Sequence, residues 1–251
     1  MDGQPATRAT SAAAFQSLSL KGAPGFAAGF TRGALTAPSL DPEAAGRALA
    51  EALGAPEAEV VTLKQVHGAR VLTFEEPARK RRDSLLGEGD GLLTSQRNVL
   101  LAVASADCVP IVLADAVTGW MAAVHAGWRG TAARVLDAAL DALAARGVRL
   151  GNLFAGFGPS ISRDRYEVGS EVVAALLGAY GAAPEGAIVP GRDGRSFVDV
   201  AAFNEAALRA RGLDPARIHR PGICNAATPD LPSWRRDGPG AGRILTGIVR
   251  L

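Results

Sequence analysis

The sequence contains few of the residues that most often carry chemistry or form cross-links. Its 251 residues include 2 cysteines, 3 histidines and 2 methionines, and aromatic residues make up 5%. Two cysteines, Cys108 and Cys224, are too few for the disulfide framework of a small secreted domain. We therefore expect each of them to be a thiol or a metal ligand.

An excess of one charge is also lacking. The 27 basic and 25 acidic side chains leave a formal charge of +2, which is too small to build the positive field that nucleic-acid binding needs. The one basic run, Arg79-Lys80-Arg81-Arg82, is followed by acidic residues among glycine and serine. This pattern is typical of a solvated loop. We expect no nucleic-acid partner.

No apolar segment has the length of a membrane span or of the core of a signal peptide. The longest apolar region, residues 100–127, is interrupted by Asp107 and Pro110, whereas a membrane helix needs about 20 nearly uninterrupted apolar residues. Arg8 and Lys21 interrupt the alanine-rich start of the sequence. We expect a soluble, cytoplasmic protein that does not bind membranes and is a monomer or a weak dimer.

The arrangement of apolar and turn residues predicts a single domain of the α+β class. Residues 1–22 are small, polar and aperiodic and are predicted to be a loose N-terminal arm, and no linker or repeat divides residues 23–251. Asp41-Pro42-Glu43 has the capping residue, proline and acid of a helix start, and Gly54 supplies the stop. Further helices are expected at residues 130–147, 168–180 and 200–211, and strands at residues 59–63, 70–74, 152–157 and 244–249.

The stretch from residue 99 to residue 126 is the most informative for the fold. Three apolar segments, residues 99–105, 109–114 and 120–126, are separated by very short breaks. Such connections are typical of neighbouring antiparallel strands and are too short for parallel crossovers. The sheet is therefore predicted to be largely antiparallel or mixed, in a layered α/β sandwich.

Candidate chemical groups lie at the ends of these segments. His67 is at a turn between predicted strands, Cys108 lies between two apolar runs, and His125 ends an apolar segment before a glycine-bracketed turn. Their separation matches no short zinc-finger spacing, so these residues are either buried packing groups or ligands brought together by the fold. Asp90 and Asp107 are either proton-transfer groups or structural turn residues.

The ordered motifs, taken together, resemble one known family. Laccase-domain proteins are also described as multicopper polyphenol oxidases, peptidoglycan editing factors and purine nucleoside phosphorylases. The motifs that carry the resemblance are Gln65-Val66-His67-Gly68, Asp90-Gly91-Leu92-Leu93-Thr94, Ala106-Asp107-Cys108-Val109-Pro110, His125-Ala126-Gly127-Trp128-Arg129-Gly130-Thr131, Tyr166-Glu167-Val168, Val198-Asp199-Val200 and Arg235-Arg236-Asp237-Gly238. They span most of residues 25–251.

The resemblance implies that His67, Cys108 and His125 converge as a zinc site, with Cys108, His125 and Asp107 as catalytic residues. Two imidazoles and a thiolate leave the fourth zinc position open for water, as in catalytic sites. The implied activity is phosphorolysis of adenosine, inosine and methylthioadenosine, with deamination of adenosine in the same pocket. Phosphorolysis needs cationic donors for phosphate, for which the candidates are Arg129, Arg235, Arg236 and Arg243.

Three other activities remain open. The family also implies a fold related to the catalytic domain of cytotoxic necrotizing factor, a Cys-His hydrolase, in which Cys108 would be a nucleophile activated by His125. Removal of misincorporated residues from a cell-wall precursor by an amidase is compatible with either chemistry. A copper-dependent polyphenol oxidase is the weakest alternative, because one cysteine and at most three histidines cannot form the ligand sets of several copper ions.

Overall fold

The computed structural model describes residues 14–20, 22–75 and 84–251. The basic run at residues 79–82 lies outside them. Numbered in chain order, the strands are β1 (Phe15–Leu18), β2 (Phe26–Thr31), β3 (Glu59–Lys64), β4 (Val71–Thr73), β5 (Leu85–Glu88), β6 (Gly91–Thr94), β7 (Val99–Ser105), β8 (Val109–Ala114), β9 (Met121–Ala126), β10 (Phe154–Phe157), β11 (Glu167–Val168), β12 (Ile188–Pro190), β13 (Ser196–Val198), β14 (Ile218–His219) and β15 (Ile244–Arg250). The α-helices are α1 (Pro42–Ala52), α2 (Trp128–Ala132), α3 (Val135–Ala144), α4 (Ser170–Tyr180), α5 (Val200–Ala210) and α6 (Trp234–Asp237).

Two six-stranded sheets form the centre of the fold. Sheet one has the order β1-β2-β15-β7-β3-β5 and sheet two the order β14-β10-β8-β9-β6-β4, and a small sheet of β11, β13 and β12 lies beside them. Each large sheet combines antiparallel pairs with parallel ones, such as β3 with β7 and β4 with β6. The α+β class and the mixed sheets are thus confirmed. In the described part of the chain, no helix has both the length and the apolar character to cross a bilayer.

Alternating side chains cover both faces of each sheet. In β8, every residue is buried. Ile111 and Leu113 pack with α3 and α5, whereas Val112 and Ala114 pack between the sheets. Sheet one repeats this pattern with α1 on its outer face. Since neighbouring strand residues point to opposite faces, the result is a four-layer sandwich of α1, sheet one, sheet two and the α3–α5 layer.

The predicted neighbours at residues 99–126 are correct for one pair and wrong for the other. β8 and β9 are antiparallel partners, as expected. β7 instead lies in sheet one, between β15 and β3. The short break between β7 and β8 carries Asp107 at φ 93° and takes the chain from one sheet to the other. β7 finds both of its partners far away in sequence, which a local pattern cannot reveal.

Two predicted boundaries also change. Phe15–Leu18, predicted to belong to a loose arm, pairs with β2 as the edge strand of sheet one, so the prediction of a loose arm is wrong for these residues. Residues 1–13 lie outside the described residues. The helix predicted from residue 130 to residue 147 is broken between α2 and α3, where Arg134 has φ 63°. A left-handed residue cannot continue an α-helix.

The start of α1 follows the predicted capping chemistry. The Asp41 carboxylate accepts hydrogen bonds from the backbone N–H groups of Glu43 and Ala44, which satisfies two donors that the helix leaves unpaired. α1 packs closely on sheet one through Gly46, where a methyl group would lie 2.5 Å from Val60 Cγ1. The glycine therefore sets the distance between the helix and the sheet.

We predict that Gly46→Ala lowers the free energy of unfolding by about 1–3 kcal/mol because the added methyl group overpacks the interface. The matched control is Gly178→Ala on α4, where nothing lies within 4 Å of the added carbon and the variant should gain about 0.5–1 kcal/mol. Denaturant unfolding of both proteins measures the difference. Equal gains for the two variants would contradict the packing argument.

Candidate functional site

Three separated segments bring His67, Cys108 and His125 together. His67 lies in the turn between β3 and β4, Cys108 immediately precedes β8, and His125 is near the end of β9. Their ligand atoms all lie within 4.8 Å of one another. The two imidazole rings are arranged edge to face, with their centroids 5.0 Å apart. The cluster runs from exposed His67 through partly buried Cys108 to buried His125. One side is therefore open to a ligand.

His125 is fixed by its partner Asp90. Its Nδ1 lies 2.9 Å from Asp90 Oδ1, and both side chains are almost fully buried. This contact uses Nδ1 and leaves Nε2 for the cluster, which is the arrangement of metal-binding histidines held by a carboxylate. Burial raises the pKa of Asp90, but hydrogen bonds from His125 and from the turn around His67 outweigh it and hold this pKa below its ordinary value. Asp90 is therefore a carboxylate at neutral pH.

The charges of Cys108 and His125 stabilise each other. Burial raises the pKa of Cys108, but hydrogen bonds with the two histidines lower it to about 6. Burial lowers the pKa of His125, whereas Asp90 and Cys108 raise it to about 9. Without a metal, a thiolate thus faces an imidazolium at neutral pH, and the sulfur is ready to act as a ligand or a nucleophile.

Unusual backbone geometry holds the cluster together. His67 has φ 59° and Asp107 has φ 93°, a region that costs energy for residues with a side chain. Gly127, which follows β9, allows the closest approach, since a methyl group there would lie 2.8 Å from Cys108 Sγ and 3.3 Å from His67 Cδ2. The glycine after β9 is therefore required by packing around the sulfur.

Asp107 is bonded to the segment that precedes and begins α6. Its carboxylate accepts from Asn225 Nδ2 at 2.9 Å, from Ser233 Oγ at 2.6 Å and from the backbone N–H of Arg235 at 2.7 Å. These contacts anchor residues 225–235 beside Cys108. Because both carboxylate oxygens already accept hydrogen bonds, the geometry supports an anchoring role for Asp107. This role is additional to the proton transfer that we predict for it.

Two of the four predicted arginines lie near the cluster. The Arg235 guanidinium is 5.0 Å from the centre of the Tyr166 ring, and exposed Arg129 lies over the Trp128 ring. Burial, together with the nearby charge of Cys108, raises the pKa of Tyr166 to about 12, against the opposing charges of Arg235 and Arg129. The phenol therefore keeps its proton at neutral pH. Tyr166 was absent from our predicted site residues, although its motif was the signal that could have revealed it.

Arg236 and Arg243 do not join this group. Arg236 donates to the carbonyl oxygens of Asn225, Thr228 and Leu231 and pairs with Asp237, so these contacts argue against its predicted phosphate-binding role. Arg243 donates to the carbonyl oxygens of two adjacent residues and lies 5.9 Å from the centre of the Trp234 ring. A phosphate near Cys108 would thus rely on Arg129 and Arg235.

The donor set matches one metal ion with an open position. Two imidazole nitrogens and one thiolate sulfur are ligands of zinc, and three protein ligands leave the fourth tetrahedral position for water or substrate. Within residues 14–20, 22–75 and 84–251, no other group of three or more histidine, cysteine or acidic side chains has metal-binding spacing. A cluster of several copper ions has no ligand set in this part of the chain.

We predict that in the metal-free protein the alkylation rate of Cys108 reaches half its maximum near pH 6, because only the thiolate reacts. His125→Ala should move this midpoint upwards, since it removes the largest group that stabilises the thiolate. Mass spectrometry of iodoacetamide-treated protein follows Cys108, with Cys224 as the internal comparison. An unchanged midpoint in His125→Ala would rule out this electrostatic coupling.

Comparison with known proteins places the geometry in a family. The chain is 36% identical over 208 residues to a purine nucleoside phosphorylase of Deinococcus radiodurans, covering 82% of this chain and 77% of that protein. It is 35% identical over 207 residues to adenosine deaminase RL5 of an unknown prokaryotic organism, covering 80% and 79%. A crystal structure of YlmD from Geobacillus stearothermophilus superimposes with a TM-score of 0.81 at 28% identity, covering 94% and 96%. With residues 42–251 matching its pattern, the chain belongs to the family described as multi-copper polyphenol oxidoreductase laccase.

Proposed function

We propose that this protein is a zinc-dependent enzyme of purine nucleosides that cleaves the glycosidic bond by phosphorolysis and also deaminates adenosine. The observation that carries the proposal is the cluster of His67, Cys108 and His125, open on the side of His67 and flanked by Arg235 on Tyr166. Relatives named purine nucleoside phosphorylase and adenosine deaminase support the substrate class.

His67, Cys108 and His125 would hold the zinc ion. Mixed nitrogen and sulfur donors suit zinc better than the oxygen-preferring magnesium or calcium. Bound zinc supplies a Lewis acid and lowers the pKa of coordinated water to about 7. Asp90 would keep Nε2 of His125 free for this ligation, as its contact with Nδ1 requires.

In phosphorolysis, an oxygen of phosphate bonds to C1′ of the ribose while the bond from C1′ to the purine nitrogen breaks. The purine leaves with the electron pair and takes up a proton. Arg129 and Arg235 would hold the phosphate, because guanidinium groups match the geometry and charge of phosphate oxygens. Asp107 positions Arg235 through its backbone N–H, and protonated Tyr166 is a hydrogen-bond donor on the same side.

In deamination, water adds to C6 of adenosine and the amino group leaves as ammonia. A carboxylate transfers the proton in other zinc deaminases, and Asp107 is the predicted candidate here. Its two oxygens already accept three hydrogen bonds, so proton transfer would require exchange of one of them. Phosphorolysis places no such demand on Asp107, and we propose it as the main reaction.

A metal-free hydrolase is the second candidate, because Asp90, His125 and Cys108 also have the order of a catalytic triad. Cys108 would attack a carbonyl carbon, His125 would protonate the leaving amine, and Asp90 would orient His125. An amide of a cell-wall precursor is a substrate of this class. The two candidates use the same atoms and differ in their need for metal.

We predict that the purified protein contains about one equivalent of zinc and that His67→Ala, Cys108→Ala and His125→Ala each lose it. Elemental analysis measures the metal. Product chromatography on adenosine and inosine, with and without phosphate, should show free base and ribose 1-phosphate only when phosphate is present, and inosine from adenosine in either case. Cys224→Ala is the matched cysteine control and should keep both the metal and the turnover.

Chelation separates the two candidates in the same assay. Nucleoside turnover should stop when zinc is removed and return when zinc is added. Cys108→Asp keeps an electron-pair donor at the position and should retain weak metal binding and measurable turnover, whereas the hydrolase would be inactive without its nucleophile. Full nucleoside turnover by verified metal-free protein would reject the zinc enzyme and favour the hydrolase.

A further prediction concerns phosphate. Arg235→Ala should raise the KM for phosphate about tenfold or more at saturating inosine, because one charge-assisted contact is lost. Arg47→Ala, which removes an exposed arginine from α1, is the control and should leave this KM unchanged. Initial rates over a range of phosphate concentrations provide the measurement. An unaltered KM in Arg235→Ala would exclude this arginine from the phosphate site.

A further inference from the structure

The carboxylate of Asp90 contacts both histidines of the cluster. Asp90 immediately precedes β6, is fully buried and accepts four hydrogen bonds. Oδ1 accepts from the backbone N–H of His67 at 3.0 Å and lies 2.9 Å from Nδ1 of His125. Oδ2 accepts from the backbone N–H groups of Val66 at 3.3 Å and Gly68 at 2.7 Å. One side chain thus joins the turn that carries His67 to the strand that carries His125.

We infer that Asp90 is the positioning residue that sets both histidine ligands together, so that metal affinity depends on its charge and on both of its oxygens. The inference rests on the proposed metal site. It goes beyond that proposal because it assigns the geometry of an exposed ligand, His67, and of a buried ligand, His125, to one group that does not touch the metal.

The turn around His67 needs this support. His67 has a left-handed backbone at φ 59°, and its side chain is exposed, so side-chain packing does little to hold it. Three successive N–H groups of the turn point at Asp90. Such a concave set of N–H groups favours a negative charge. The carboxylate therefore offsets the energetic cost of the strained backbone and fixes the position of the His67 backbone from which the imidazole extends.

The contact with His125 adds the second half of the argument. A carboxylate facing Nδ1 keeps the proton on that nitrogen and directs the lone pair of Nε2 into the cluster. The backbone of Asp90 also accepts from the N–H of His125 at 2.7 Å, so strand β9 and the imidazole are fixed by the same residue. A role in the turn alone does not require this contact between the Asp90 carboxylate and the imidazole of His125.

Asparagine cannot replace this carboxylate. If its amide nitrogen takes the place of Oδ1, it meets the donors of His67 and His125, and if it takes the place of Oδ2, it meets those of Val66 and Gly68. Either orientation sets donors against donors in a buried position, which is costly. Asp90→Asn therefore disturbs the turn that carries His67 in either orientation, and the contact with His125 as well when the amide nitrogen replaces Oδ1, while it changes the side-chain volume very little.

The test measures zinc affinity by competition with a chromophoric chelator. Asp90→Asn should bind zinc about 10–100-fold more weakly than the natural protein. Asp115→Asn is the matched control, since Asp115 is equally buried and accepts two backbone N–H groups and a hydroxyl at the opposite end of the β8–β9 hairpin. It should change zinc affinity less than twofold. Equal zinc affinity in Asp90→Asn and the natural protein would overturn the inference.

A second pair of variants tests the turn around His67 itself. Gly68→Pro deletes one N–H donor to Asp90 and also disfavours the left-handed backbone of the preceding His67. Gly68→Ala keeps the donor, with only ordinary contacts for the added methyl group. Gly68→Pro should weaken zinc binding about tenfold and Gly68→Ala should not. If both variants bind zinc like the natural protein, the turn is not held through Asp90 and the inference fails.

Nuclear magnetic resonance of the metal-free protein provides a readout that does not depend on zinc. Asp90→Asn should speed amide exchange at residues 66–68 at least tenfold and shift the ring-nitrogen resonances of His125, which loses its carboxylate partner, while Asp115→Asn does neither. Unchanged exchange and unchanged ring-nitrogen resonances of His125 would overturn the inference. A natural protein that binds no zinc but shows these changes would instead reject the proposed function and keep Asp90 as the positioning residue.

Discussion

The register between β8 and β9 is the constraint on which the site depends. Pro110 lies opposite His125, and Val109 lies opposite Ala126. Cys108 precedes this pair directly, so the start of β8 and the end of β9 deliver a thiol and an imidazole to the same place. A slip of one residue would turn His125 to the opposite face of the sheet. The short loop between the strands, where the Asp115 carboxylate accepts from the N–H groups of Val117 and Thr118, fixes this register.

The parts of the fold that follow local rules were predictable from the sequence. The proline and the acid after Asp41 begin α1, and the short loop between β8 and β9 makes them partners. The position of β7 was not predictable, because its neighbours β15 and β3 are distant in sequence. The apolar pattern of β7 indicates a buried strand but does not identify the strand beside it.

The same division applies to the site. Motifs identified His67, Cys108 and His125, which the structure brings together. They could not show that Arg236 bonds to carbonyl oxygens, because an arginine motif looks the same whether its partner is phosphate or backbone. The linking role of Asp90 could not be predicted either, because its hydrogen-bond partners are distant in sequence. They lie 22 to 24 positions before Asp90 in the turn around His67 and 35 positions after it at His125.

The central place of β15 in sheet one has a consequence for synthesis of the protein. β15 separates β2 from β7 and pairs with both, although more than 140 residues follow Ser105 before Arg250 is made. Until that segment leaves the ribosome, β2 and β7 each present an unpaired edge, and such edges invite contact with other chains. Sheet two can assemble β8, β9 and β10 much earlier. The nascent chain therefore keeps the facing edges of β2 and β7 unpaired until β15 has emerged between them.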